Sequence, residues 1–136
     1  LLAPFFDKAQ RIPNVPATLL LGTCDFDTGQ EGAGYFSALQ GKPRTKPAFQ
    51  LTLSGANHNF YNQTLVTLRK DDAEGQKGRC AKPLRLTGAT QQAFLQQVVL
   101  DHFGTSLLGA DAAGWIATPA SGELYGRRVA VKSITP

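Results

Sequence analysis

Three residues in this chain have the types and placement to move a proton: Asp25, Asp27 and His58. A neutral imidazole can take a proton from a hydroxyl nucleophile. It does so well when a carboxylate on its other nitrogen fixes the tautomer and stabilises the imidazolium that forms. Asp25 and Asp27 follow one apolar run, and His58 follows the next. If both runs are strands of one sheet, the acid loop and the histidine loop meet at its carboxyl edge, where open α/β sheets place their sites. Both aspartates are also good turn formers and helix caps. Asn57 and Asn59 read as residues that stabilise the turn around the histidine. The other histidine, His102, falls on a predicted helix and is expected on its solvated face.

The elements that must hold these residues follow from local pattern. Residues 4 to 12 read as a short helix or a tail, ended by Pro13 and Pro16. Val15 to Leu21, closed by Gly22, suits a strand buried on both faces, because it is short, continuous and bounded by breakers. Gly22 to Gly29 is polar and turn-rich. Gln30 to Gln40 predicts a helix weakened by Gly32 and Gly34. Residues 41 to 47 form a loop. Ala48 to Leu53 alternates Phe49, Leu51 and Leu53 with Gln50 and Thr52, a second strand. Strand, helix, strand is a βαβ unit, which favours a parallel pair in an α/β sheet.

Residues 62 to 86 read as a long excursion, a length that is usually functional or disordered. Thr87 or Thr90 then caps a helix running to about Phe103. Phe94 with Val98, and Leu95 with Val99, are its apolar pairs, and Gly104 is the expected stop. Residues 110 to 122 are rich in Ala and Gly. Leu124 to Ile134 has strand character but does not extend the βαβ pattern. Two regions are therefore expected: 1 to 108 as an α/β unit, and 109 to 136 as a linker and the start of a separate β-rich module.

With those contexts in place, Pro16-Ala-Thr-Leu-Leu-Leu-Gly-Thr-Cys-Asp25 resembles the α/β-hydrolase segment that ends Gly-x-x-Asp and carries the triad acid. Leu53-Ser-Gly-Ala-Asn-His58-Asn-Phe is similar to that family's Gly-x-x-His segment. The family places the acid before the histidine and follows the histidine with a closing helix, a role residues 87 to 103 suit. The wording is closest to secreted bacterial serine hydrolases of the esterase or lipase kind. The resemblance covers roughly residues 13 to 108. It implies the last strands of a parallel sheet with connecting and closing helices, with His58 as base and then acid. Asp25 is the orienting acid on the Gly-x-x-Asp spacing, with Asp27 as its alternative. It implies a small-molecule or lipid ester as substrate, and no cofactor.

The chain departs from the family in one large respect. The nucleophile elbow, Gly-x-Ser-x-Gly, does not occur. Ser54 sits in the histidine loop, and neither Ser37 nor Ser106 stands at a strand-to-helix turn of that pattern. The resemblance therefore implies that the serine and the oxyanion donors belong to an N-terminal remainder of the domain. These 136 residues, opening at Leu1 with no Met, are then expected to start inside a longer protein or after processing, and to be inactive alone. A non-catalytic interaction module is one alternative. A peptidase or acyltransferase on the same fold is another.

Composition narrows the classes further. Hydrophobic residues make up 42% of the chain and charged residues 18%, enough for a domain with a core. No apolar run reaches the roughly 18 residues of a membrane span. The net charge is +4, but the basic residues are spread along the chain without interleaved aromatics, which argues against a nucleic-acid partner. The two cysteines, Cys24 and Cys80, fit one disulfide and an oxidising compartment, or two buried free thiols. A bridge would tie the excursion to the loop after the first strand. With His58 and His102 they lack metal-ligand spacing, so no metal is expected. The expected location is secreted or periplasmic, with the cytoplasm as alternative. Asn62-Gln-Thr64 spells a glycosylation sequon and adds little.

Overall fold

A computed structural model describes residues 14–25, 29–61, 80, 85–108 and 121–136. The expected helix or tail at 4–12, Asp27, most of the 62–86 excursion and residues 109–120 lie outside them. The elements are strand β1 (Ala17–Gly22), helix α1 (Gly29–Gln40), strand β2 (Ala48–Leu53), a 3-10 turn (Asn59–Tyr61), helix α2 (Gly88–Leu108), and strands β3 (Ser121–Leu124) and β4 (Arg127–Ile134).

β1 and β2 pair in parallel from Ala17 with Ala48 to Gly22 with Leu53, so their carboxyl ends are level. This is the expected βαβ unit, and the architecture is α/β. The sheet is nonetheless mixed and not wholly parallel. Its order is β1-β2-β4-β3, and β4 runs antiparallel along the whole of β2, from Ala48 with Ile134 to Leu53 with Val129. Residues 109 to 136 were expected to hold a linker and the start of a separate β-rich module. Residues 121–134 are two strands of the same sheet, because the second edge of β2 takes up β4.

Those two strands were expected as one. They are a hairpin, turned by Tyr125 (φ 51°) and Gly126 (φ 68°). Two consecutive left-handed residues are the backbone of a type I′ turn, the two-residue turn whose twist matches its flanking strands. Tyr125 is a poor residue for that φ. Its ring is held edge-on to Phe94 of α2, with centroids 5.8 Å apart, a contact of about 0.5–1.5 kcal/mol beyond area burial.

The sheet is covered on both faces, which is why β1 reads as an unbroken apolar run. Leu20, Leu51, Leu53 and Val129 pack with Phe94 and Val98 of α2. Leu19 and Ala48 pack with Tyr35, Phe36 and Leu39 of α1 on the other face. α1 forms despite Gly32 and Gly34, each costing about 1 kcal/mol against alanine. Burying its three large side chains is worth roughly 1.5–3 kcal/mol each and outweighs that cost. Thr87 caps α2, its Oγ1 accepting the Thr90 N–H at 3.2 Å. The helix runs through Gly104 to Leu108 instead of ending near Phe103. Among the described residues no helix is long and apolar enough to cross a membrane.

Candidate active site

The loops after β1 and β2 are laced together by backbone. Thr23 N–H donates to the Leu53 carbonyl (3.1 Å) and Cys24 N–H to the Ala56 carbonyl (2.8 Å). The Thr23 hydroxyl accepts the Gly55 N–H at 2.9 Å. Two glycines make this possible. Gly22 lies against Ala56, with no room for a side chain between them. Gly55 has φ 79°, a backbone that other residues adopt at a cost. These are the glycines of the Gly-x-x-Asp and Gly-x-x-His segments, and each is required by its geometry.

The lacing brings Asp25 and His58 together. Asp25 Oδ2 lies 3.3 Å from His58 Nδ1, across 33 residues of sequence. The Asp25 side chain is fully buried, and that of His58 is 32% exposed. Protonated at Nδ1, His58 donates to the carboxylate and carries its basic lone pair on Nε2. A buried carboxylate against a partly exposed imidazole is the arrangement of an orienting acid and a base. Asp25 is at this distance, and the other candidate acid, Asp27, lies outside the described residues.

Cys24, one residue before Asp25, is bonded to Cys80, with Cα atoms 5.6 Å apart and both side chains buried. The alternative of two free thiols is set aside. The bridge ties the acid loop to the segment beyond the 3-10 turn, as expected for a linked excursion.

The histidine loop is held from α2. Asn57, fully buried, accepts the Phe60 N–H on its Oδ1 at 2.9 Å and so starts the 3-10 turn. Gln91, also fully buried, accepts the Asn57 N–H at 3.1 Å and donates to the Asn57 carbonyl at 2.8 Å. Gln92 donates to the Phe60 carbonyl. Tyr61 closes the turn, its N–H donating to the His58 carbonyl at 3.4 Å. Burial, with the nearby Asp25 charge, holds the Tyr61 hydroxyl well above the usual phenol range, so it stays protonated beside the acid.

Sequence reasoning did not find Gln91, although a signal exists. Positions 91, 94, 95 and 98 form one stripe at helical spacing, and Gln91 is the polar member of it. Asn57 was read as a turn stabiliser, and it is one.

The remaining candidates fall elsewhere. His102 was expected to be solvated. It is half-buried instead, its Nδ1 3.0 Å from the Thr18 hydroxyl at the amino end of β1. Burial holds its pKa below the ordinary 6.5. It thus stands at the opposite end of the sheet from His58. Ser37 is mid-helix, its hydroxyl donating to the Ala33 carbonyl at 3.1 Å. Ser106 lies in α2, and Ser54 follows β2 with its N–H on the Arg128 carbonyl. Ser37 and Ser106 lie inside helices, and Ser54 lies in the loop that carries His58. Among the described residues no three His, Cys, Asp or Glu side chains converge as a metal site.

No protein-family model, no curated protein and no solved structure matches this chain.

Proposed function

We propose that Asp25 and His58 are the acid and base of a Ser-His-Asp hydrolase of the α/β-hydrolase kind, acting on carboxylic esters of small molecules or lipids. The serine and the oxyanion donors come from chain upstream of Leu1. The observation that carries this reading is the 3.3 Å pairing of a fully buried carboxylate with Nδ1 of a partly exposed histidine, at the level ends of two parallel strands.

In this reading His58 Nε2 takes the serine proton as the serine oxygen bonds to the ester carbonyl carbon. Asp25 stabilises the resulting imidazolium, which then gives the proton to the departing alkoxide. The second half repeats the cycle with water, releasing the acid and returning the proton to serine. The acid-then-histidine order and the closing helix α2 support it. The disulfide supports a secreted or periplasmic setting.

The test is His58→Ala in a longer chain that includes the upstream segment, assayed on a short-chain aryl ester. Turnover is expected to fall about 10⁴-fold or more. Undiminished turnover would overturn the reading, as would triad-type hydrolysis by the 136 residues alone.

A further inference from the structure

We propose that Gln91 is the positioning residue for His58: it clamps the Asn57 peptide groups from α2 and so fixes the angle at which the imidazole meets Asp25. This rests on the reading of Asp25 and His58 as a proton-handling pair. Gln91 is fully buried in a stripe otherwise filled by Phe94, Leu95 and Val98. A buried carboxamide is unfavourable there unless both its ends are bonded. Both ends go to one residue. The Asn57 N–H donates to Oε1 (3.1 Å), and Nε2 donates to the Asn57 carbonyl (2.8 Å).

Two bonds from one planar group to one residue fix both the place and the tilt of the backbone that leads directly into His58. Asn57 is itself fully buried, so no solvent replaces the clamp when it is removed. The other side of His58 is fixed by the Asn57 Oδ1 bond to Phe60 N–H. An apolar side chain of similar size would fill the same space against Phe94. The amide is needed for the loop, and not for the core.

The test uses the 136-residue chain with labelled imidazoles. It has two histidines, so His102 serves as an internal reference. The readouts are the low-field Nδ1–H resonance of His58 and the hydrogen-exchange rate of the Asn57 amide. Gln91→Leu is expected to abolish the first and to speed the second on the order of tenfold, with His102 and the far-UV spectrum unchanged. Val98→Ala, a core deletion on the same helix, is expected to lower the melting temperature while keeping the His58 resonance. Gln91→Glu distinguishes clamp from packing even if the leucine variant fails to fold. As a carboxylate it repels the Asn57 carbonyl; once protonated it donates and accepts as glutamine does. The His58 signal is therefore expected to be kept while the introduced carboxyl is protonated and lost once it ionises, a transition that burial moves above the ordinary carboxyl range. A His58 resonance that survives in Gln91→Leu, or is lost equally in Val98→Ala, overturns the proposal. All readouts are independent of turnover, so failure of the ester-hydrolysis reading would show in the His58→Ala assay and not here.

Discussion

Gly22 and Ala56 stand so close that a Cβ on Gly22 would lie 2.2 Å from the Ala56 carbonyl oxygen. The same oxygen accepts the Cys24 N–H. This one approach joins the acid loop to the histidine loop, and both halves of the Asp25–His58 pair depend on it. Gly22→Ala must push the two backbones apart, since a carbonyl cannot rotate away as a side-chain tip can. The expected cost is roughly 1–3 kcal/mol, as for overpacked cores. It is read as a lower urea midpoint, together with loss of the His58 Nδ1–H resonance. Gly41→Ala is the control, because a Cβ there meets nothing within 4 Å. Equal behaviour of the two variants would count against the close approach.

The Cys24–Cys80 bond closes a loop of 56 residues in sequence. Chain-entropy arguments give such a bridge up to about 4 kcal/mol, with 2–4 kcal/mol typical. Reduction, or Cys80→Ser, is expected to lower the denaturation midpoint accordingly and to loosen the Asp25 loop. The chemical check is a thiol assay on protein unfolded without reductant. It should find no free thiol, and two reactive thiols would remove the bridge.

His102 gives the fold a pH dependence whose sign follows from its surroundings. Burial lowers its folded-state pKa below the ordinary 6.5. Between those two values the unfolded chain binds more protons than the folded one, so stability rises with pH. The contribution of neutral His102 is complete above about 6.5 and is lost as pH falls through the window below it. The Thr18 hydroxyl, 3.0 Å from Nδ1, can accept from a protonated ring, so the loss comes from burying the imidazolium charge. His102→Gln is expected to flatten the decline in urea midpoint between pH 7.5 and 5. An unchanged slope would show that the ring is solvated after all.

What could be read from the sequence was what local pattern determines. β2 was legible to the residue because Phe49, Leu51 and Leu53 alternate with polar partners on a half-polar strand. β1 was placed two residues early at its start, because Val15 is apolar but stands 49% exposed before Pro16. The end of α2 was missed because Gly104 costs the helix too little to stop it. The pairing of β4 with β2 was not legible, since it joins residues far apart in sequence through backbone bonds that leave no side-chain signature. The same holds for Gln91, whose two bonds cross from α2 to Asn57. That Asp25 and His58 come near each other was legible, because level strand ends carry both loops to one edge. That 3.3 Å separates them is a product of the lacing at Gly22, Thr23 and Gly55.

The choice between the two aspartates is decided by substitution. Asp25 is the carboxylate on Nδ1 of His58, and its side chain has no exposure to water. Replacing it with asparagine keeps the size and loses the charge. The amide either donates to Nδ1, forcing the wrong tautomer, or accepts from it without stabilising the imidazolium. In the longer chain Asp25→Asn is therefore expected to lower kcat for an aryl ester by about 10⁴-fold with KM little changed, because the interaction strengthens as the imidazolium forms. Asp27→Asn is expected to stay within about a few-fold of the parent, since the proposed reading gives the acid's role to Asp25 alone. Within the 136 residues, only Asp25→Asn should remove the low-field His58 proton. If Asp27→Asn carries the large loss instead, the 3.3 Å pairing is a resting arrangement, and His58 meets a different acid when it works.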